Sequence, residues 1–358
     1  MIVDDSAVIR SATARVLIGE PMLKVIATAT NGQQAIDYLR REPVDVIVLD
    51  IEMPIIDGLT ALPQLKAIDR GVQIIMSSTL TQKNAEISMQ ALALGAADYI
   101  AKPSAAVELG ADIFKQELIR KIKVLGALAH RCGVRSPLLP KVAIQPKAAP
   151  AIPPRLINLR KDPIYRPDII AIGSSTGGPQ ALFETIKVMG ATLPQPIVIT
   201  QHMAPTFTAT LADHIGRQCK VICTEAKNGE ILMPGRYYVA PGDYHMTIIK
   251  NGKNSLVKLN KEPHENFCRP SVEPMLRSLV NIYGKRILTI ILTGMGQDGC
   301  SASAAVVKAG GTVIAQDEAT SVVWGMPGAV AMAGLCTAVL PIDKIGAFVK
   351  QTGMKAAP

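Results

Sequence analysis

Asp168-Ile169-Ile170-Ala171-Ile172-Gly173-Ser174-Ser175-Thr176-Gly177-Gly178 decides how the second half of this chain is built. An apolar run that stops at a glycine and restarts as a helix predicts a buried strand, turning sharply above the carboxyl edge of a parallel sheet. Such a turn presents a small hydroxyl residue as a nucleophile. Gly177 and Gly178 clear side chains from the turn, so backbone N–H groups at the helix start can face an anion. These residues alone leave three readings: a nucleophile turn with an oxyanion site, a phosphate cradle, and a structural glycine turn.

A hydroxyl nucleophile needs a base within hydrogen-bond reach and an acid that orients the base. Of the five histidines, His130 lies at a linker boundary, His214 in a helical stretch, and His245 and His264 in polar strand-and-loop stretches. His202 differs, because it ends the strand Pro196-Ile197-Val198-Ile199-Thr200-Gln201 at the same sheet edge as Ser175. Alone, a strand-end histidine reads as structural; paired with Ser175, it becomes the favoured base. The acid should come from another strand end. Arg286–Leu292 runs into Thr293-Gly294-Met295-Gly296-Gln297-Asp298-Gly299, ahead of a helix over Ser301–Lys308. Asp298 reads equally as the orienting acid or as a helix cap. Asp317, after the strand Thr312–Gln316, competes with it. The order Ser, His, Asp departs from the Ser, Asp, His order of α/β-hydrolases.

Composition bounds these readings. A chain of 358 residues with 48% hydrophobic content exceeds what one core usually holds, which predicts two domains. Lacking a long apolar run or a signal-like start, it is expected in the cytoplasm without membrane insertion. Six scattered cysteines without a Cys-x-x-Cys pair read as reduced, mostly buried thiols. Cys219 and Cys223, near His214, form only a weak metal-site pattern. The net charge is +9, but from Arg131 to Pro167 eight basic side chains face Asp162 alone, a local balance of +7. Eight prolines in that stretch deny it a continuous helix or central strand. It reads as a solvated linker over residues 129–167 and not as a nucleic-acid surface.

Before the linker, strands and helices alternate. Leu23–Ala29, Val44–Leu49, Val72–Met76 and Ala97–Ala101 are short and apolar; Ala7–Ile18, Gln33–Arg41, Leu59–Ile68 and Lys83–Leu94 have helical period. The pattern predicts a parallel five-stranded sheet covered on both faces. Polar groups gather at its carboxyl edge: Asp4, Asp5, Asp50, Ser77, Ser78 and Lys102. Converging carboxylates repel unless a cation joins them, and oxygen ligands of this kind suit Mg²⁺.

At this point the residues match known families. Residues 1–128, through V-D-D-S, V-L-D-I-E-M-P-x-x-D-G and A-x-x-Y-x-x-K-P, resemble a response-regulator receiver domain of flavodoxin-like fold. The resemblance implies that Asp50 accepts phosphate from a histidine kinase and that Asp4, Asp5, Asp50 and the backbone carbonyl of Glu52 hold Mg²⁺. Lys102 then contacts the phosphoryl group, Ser77 is the switch hydroxyl and Tyr99 the rotating aromatic. The first strand, Met1-Ile2-Val3, is shorter than the family's, which should weaken the sheet beside the metal site.

Residues 168–350 resemble the doubly wound α/β catalytic domain of the chemotaxis methylesterase (CheB) family. The match runs through I-G-S-S-T-G-G, Q-H-M, Y-V-A-P-G-D-Y-H, R-P-S-V, L-T-G-M-G-Q-D-G and W-G-M-P-G-A-V. It implies Ser175 as nucleophile, His202 as base and acid, Asp298 as orienter, and Thr176 and Met295 at the oxyanion site. The implied reaction is hydrolysis of glutamate γ-methyl esters on the cytoplasmic helices of chemoreceptors, with release of methanol, alongside deamidation of receptor glutamines. No cofactor is implied for the esterase; Mg²⁺ belongs to the receiver. The linker would keep an unphosphorylated receiver over the active site of a monomer, and phosphorylation of Asp50 would release it. A serine hydrolase for another ester, or a response regulator with a non-enzymatic protein-binding output, are the alternatives; no basic helix-turn-helix follows the linker.

Overall fold

The computed structural model describes residues 1–79, 81–102, 108–131, 157–161 and 165–355. The first half runs β1 (Ile2–Val3), α1 (Ala7–Ile18), β2 (Thr28–Ala29), α2 (Gly32–Leu39), β3 (Val46–Asp50), α3 (Gly58–Ile68), β4 (Gln73–Ser78), α4 (Gln82–Ala93), β5 (Asp98–Ala101) and α5 (Glu108–Arg131). Its sheet has the order β2-β1-β3-β4-β5, every pair parallel. Four helix starts are fixed by side chains that accept a backbone N–H: Ser6 from Ile9, Asn31 from Gln34, Asp57 from Thr60 and Thr81 from Asn84. Each such cap is typically worth about 1 kcal/mol. Gly58, after Asp57, is required by contact: a Cβ there would stand 2.0 Å from the Asp50 carbonyl oxygen.

The strand expected over Leu23–Ala29 shrinks to its last two residues. Only Thr28 and Ala29 lie in strand register, opposite Ile2 and Val3, while Ala27 O accepts from Ile2 N–H at 3.1 Å. Short as it is, β1 is buried and paired on both sides, and it delivers Asp4 to the carboxyl edge. Of the linker expected over 129–167, residues 132–156 and 162–164 lie outside the described residues, and α5 continues to Arg131.

The second half comprises β6 (Ile169–Ser174), α6 (Gly178–Met189), β7 (Ile197–Gln201), α7 (Phe207–Cys219), β8 (Ile222–Glu225), β9 (Arg236–Val239), β10 (His245–Asn251), β11 (Asn254–Asn260), α8 (Val272–Tyr283), β12 (Ile287–Ile291), α9 (Cys300–Lys308), β13 (Thr312–Gln316), α10 (Met326–Met332), β14 (Ala338–Leu340) and α11 (Ile342–Gly353). Seven strands form a parallel sheet ordered β14-β13-β12-β6-β7-β9-β8, while β10 and β11 pair as a separate antiparallel hairpin. Strand order reverses between β12 and β6, so the crevice where α/β sheets bind ligands opens beside the end of β6. β6, β7 and β12 are wholly buried, which accounts for their unbroken apolar runs.

The two halves pack on each other. α4 lies against α6 and α7, and one continuous apolar cluster joins Met89 and Leu92 of α4 to Phe207 and Leu211 of α7. Among the described residues, no helix is long and apolar enough to cross a membrane.

Candidate active site

The turn after β6 is fastened from three sides. Ser175 N–H donates to Thr293 O at 3.0 Å, and Gly178 N–H donates to Ser175 O at 2.7 Å. Gln201, at the end of β7, accepts from Ser174 Oγ at 2.7 Å and donates to Ser175 O at 2.9 Å. That bridge needs a bare backbone at Gly178, where a Cβ would lie 1.9 Å from Gln201 Oε1. Ser175 is left 7% exposed at the carboxyl edge of the sheet.

His202 and Asp298 meet: Nε2 lies 2.6 Å from Asp298 Oδ2, with both side chains buried. The carboxylate also accepts from Val272 N–H at 2.7 Å, Ser271 Oγ at 2.7 Å and Asn266 Nδ2 at 2.9 Å. Burial alone would raise its pKa, but His202 and these donors outweigh that and hold it at about 2. The helix-cap reading of Asp298 is thus replaced. α9 begins at Cys300, after Gly299 and without a side-chain cap, and Asp298 instead faces the N-terminus of α8, where the helix dipole favours an anion. Asp317 closes a turn by accepting from Thr320 N–H at 3.0 Å.

The other ring nitrogen of His202, Nδ1, lies 3.3 Å from Cys268 Sγ. Burial disfavours the imidazolium, yet Cys268 and Asp298 favour it more, and the pKa rises to about 10. Ser175 Oγ makes no hydrogen bond to His202 among the described residues. The structure therefore joins two of the three expected groups directly and sets the third on the wall of the same cavity, of about 580 Å³. Thr176 turns its hydroxyl away, donating to Asp98 Oδ2 of β5 at 2.7 Å. Met295 is buried in the apolar cluster that also holds Leu118 and Ile122 of α5.

In the first half, one oxygen each from Asp4, Asp5 and Asp50 lie within 4.8 Å of one another. Lys102 Nζ stands 2.8 Å from Asp4 Oδ2 and 2.7 Å from Asp50 Oδ1. Burial pushes the Asp50 pKa up to about 6, against the opposing pull of Lys102. Three carboxylates and one ammonium form an oxygen-rich, net negative site, whose chemistry fits a hard divalent cation such as Mg²⁺. The Glu52 carboxylate is drawn to Lys83 at 3.2 Å. Ser77 is buried and in register with Asp50 across β3 and β4. Tyr99 leaves its own domain: its ring stacks on Phe207 at 4.4 Å and its hydroxyl accepts from Ala204 N–H at 3.2 Å.

Cys219 and Cys223 are free thiols, and among the described residues they join no metal-ligand group with His214. Asp98, Gln201, Asn266, Cys268 and Ser271 were not anticipated as site residues. Gln201 and Ser271 sit inside the Q-H-M and R-P-S-V motifs, which gave a signal for them. Asp98, Asn266 and Cys268 gave none, since each meets partners 32 to 78 positions away in the chain.

The family model for CheB methylesterase matches residues 170–349, and that for the response regulator receiver domain matches residues 1–114. The chain is 55% identical to the protein-glutamate methylesterase/protein-glutamine glutaminase of group 2 operon from Rhodospirillum centenum, covering 100% of this chain and 94% of that protein. Its identity to the protein-glutamate methylesterase/protein-glutamine glutaminase of Azospirillum brasilense is 53%, over 100% of this chain and 93% of the relative. The CheB methylesterase catalytic domain of Thermotoga maritima superposes with a TM-score of 0.51 at 39% identity, covering 52% of this chain and 98% of that structure. With both family models in chain order and relatives aligned over its full length, the chain belongs to the CheB methylesterase family, carrying a receiver domain ahead of its catalytic sheet.

Proposed function

We propose that this chain is a phosphorylation-controlled hydrolase that cleaves glutamate γ-methyl esters on the cytoplasmic helices of chemoreceptors, releasing methanol, and converts receptor glutamines to glutamate. The observation that carries this reading is the 2.6 Å pair of His202 and Asp298 on the cavity that Ser175 also lines. Ser175 Oγ attacks the ester carbonyl as His202 takes its proton; His202 then returns that proton to the departing methoxide, and water cleaves the acyl-enzyme. Asp298 holds the imidazole and stabilises its charged form. The Met295 N–H donates to no atom of the described residues and is offered to the developing oxyanion, a contribution typically of about 10²- to 10³-fold in rate.

Control follows from the interface. Tyr99, Asp98 and Arg120 of the receiver line the same cavity as Ser175 and His202, so a receptor helix reaches the serine only when the halves part. Asp50 is the phosphate acceptor from a histidine kinase, with Lys102 beside it. Asp4, Asp5, Asp50 and the Glu52 carbonyl would hold Mg²⁺, which when bound neutralises charge on the phosphoryl group. Residues 1–128 then act as regulator and 168–350 as a cofactor-free catalytic unit of a cytoplasmic monomer. The test is release of labelled methanol from methylated receptor, with and without a small-molecule phosphodonor. Wild type should respond to the donor, Asp50→Asn should not, and Ser175→Ala should release none. Turnover of simple esters with an inert receptor would overturn the substrate assignment.

A further inference from the structure

Cys268 touches the base, and the hydrolytic reading gives it no part. We propose that Cys268 is a positioning residue that, in the resting chain, occupies Nδ1 of His202 and so holds the base off Ser175. The inference rests on the reading above and concerns the control of that same site.

Because Nε2 is committed to Asp298, only Nδ1 is left to receive the serine proton. Cys268 Sγ lies 3.3 Å from Nδ1, within hydrogen-bond reach of it. The nitrogen has a single lone pair in the ring plane, so the sulfur and the serine compete for it. The sulfur does not sit there by slack. Glu265 and Cys268 exchange backbone bonds at 2.9 and 3.2 Å, Asn266 is tied to Asp298, and Arg269 Nε donates to Asp243 Oδ1 at 3.1 Å. Between these anchors Asn266 and Phe267 hold φ of 52° and 64°; asparagine tolerates this left-handed region, but a bulky phenylalanine enters it only under constraint. The loop is thus clamped to both His202 and Asp298. Unlike the buried Cys223 and Cys336, Cys268 faces the cavity.

The charged environment agrees. Against burial, Cys268 is foremost among the groups that favour the protonated ring, followed by Asp298. Asp98, Glu117, Arg120 and Lys121 face the cavity from the receiver side, with Asp98, Glu117 and Lys121 paired among themselves; Asp243, His264 and Arg269 face it from the catalytic side. A protonated Nδ1 cannot accept from Ser175, so the same contact that places the ring also keeps it idle.

The experiment uses the full, unphosphorylated chain with Cys268→Ala and Cys268→Ser, following methanol release from methylated receptor across pH and His202 by ¹⁵N-imidazole NMR. For the alanine variant, kcat should rise about 3- to 10-fold with KM little changed, as expected for removing one competing hydrogen bond. The acid limb of the rate profile and the His202 titration should both move down by at least about one pH unit. Cys268→Ser, which keeps a hydrogen-bonding group, should fall between alanine and wild type, and it decides the matter if the alanine variant does not fold. A kcat that falls in both variants, or a His202 titration unchanged in Cys268→Ala, overturns the proposal. If wild type releases no methanol, the hydrolase reading fails instead, while the NMR arm still reports the contact.

Discussion

Thr176 Oγ1 donates to Asp98 Oδ2 at 2.7 Å, so a carboxylate from the receiver sheet ends inside the turn that carries Ser175. Asp98 is itself held by Lys121 at 3.1 Å, and that ammonium also pairs with Glu117 at 3.0 Å and donates to Tyr99 O. Burial disfavours the charge on Lys121, but the two carboxylates outweigh it and raise its pKa. The receiver and the Ser175 turn are therefore linked through a buried, charge-assisted chain of bonds.

Asp98→Ala should loosen the closed form. A hydrogen bond to a charged group is worth about 1.5–3 kcal/mol, so basal methanol release by the unphosphorylated chain should rise about 10-fold or more. The measurement is kcat/KM without phosphodonor, and an unchanged rate would show that this bond does not restrain the site.

Asp50 couples the receiver to pH. In the metal-free chain it keeps its proton up to about pH 6, above the ordinary value of 3.8. Its protonated form therefore favours folding most below pH 3.8, and this contribution is lost as pH rises through 6. Asp50→Asn should melt like wild type near pH 4 and several degrees higher at pH 7. Millimolar Mg²⁺ should narrow the gap by stabilising wild type alone.

Asp298 has the opposite sign. Held at about 2, below 3.8, it stabilises the fold above pH 3.8, and that contribution fades as pH falls through 2. Asp298→Asn should be less stable than wild type at pH 7, with the deficit shrinking in acid melts. Methanol release should drop about 10⁴-fold, since the imidazole loses its orienting anion.

Gln201→Ala would strand the Ser174 hydroxyl and remove one donor from the Ser175 carbonyl. Stability should fall by about 1–3 kcal/mol. kcat should fall with KM little changed, measured by steady-state release and thermal melts on the same preparation.

Much of this was legible from local pattern. Buried parallel strands write themselves as apolar runs, so β6, β7 and β12 could be read with their turns, and with them the positions of Ser175, His202 and Asp298. The LKVIATA stretch misled because Leu23, Val25 and Ala27 pack against the core although only Thr28 and Ala29 lie in register with β1. Asp98 and Cys268 were illegible for another reason. Their significance comes from which nitrogen or hydroxyl they face across the fold, and no spacing along the chain encodes that.

One strand end does double duty. Gln201 fixes the backbone of the serine turn, and His202, its neighbour, supplies the imidazole, both from the last step of β7. Sliding that strand by a single position against β6 would invert its faces and displace the Gln201 brace and the His202 ring at one stroke. The chemistry of this enzyme is therefore insured by strand registry more than by any loop. Variation that respects the pairing of Ser174 with Gln201 can reshape the cleft's rim freely, whereas a deletion inside β7 should extinguish turnover even if the sheet still closes.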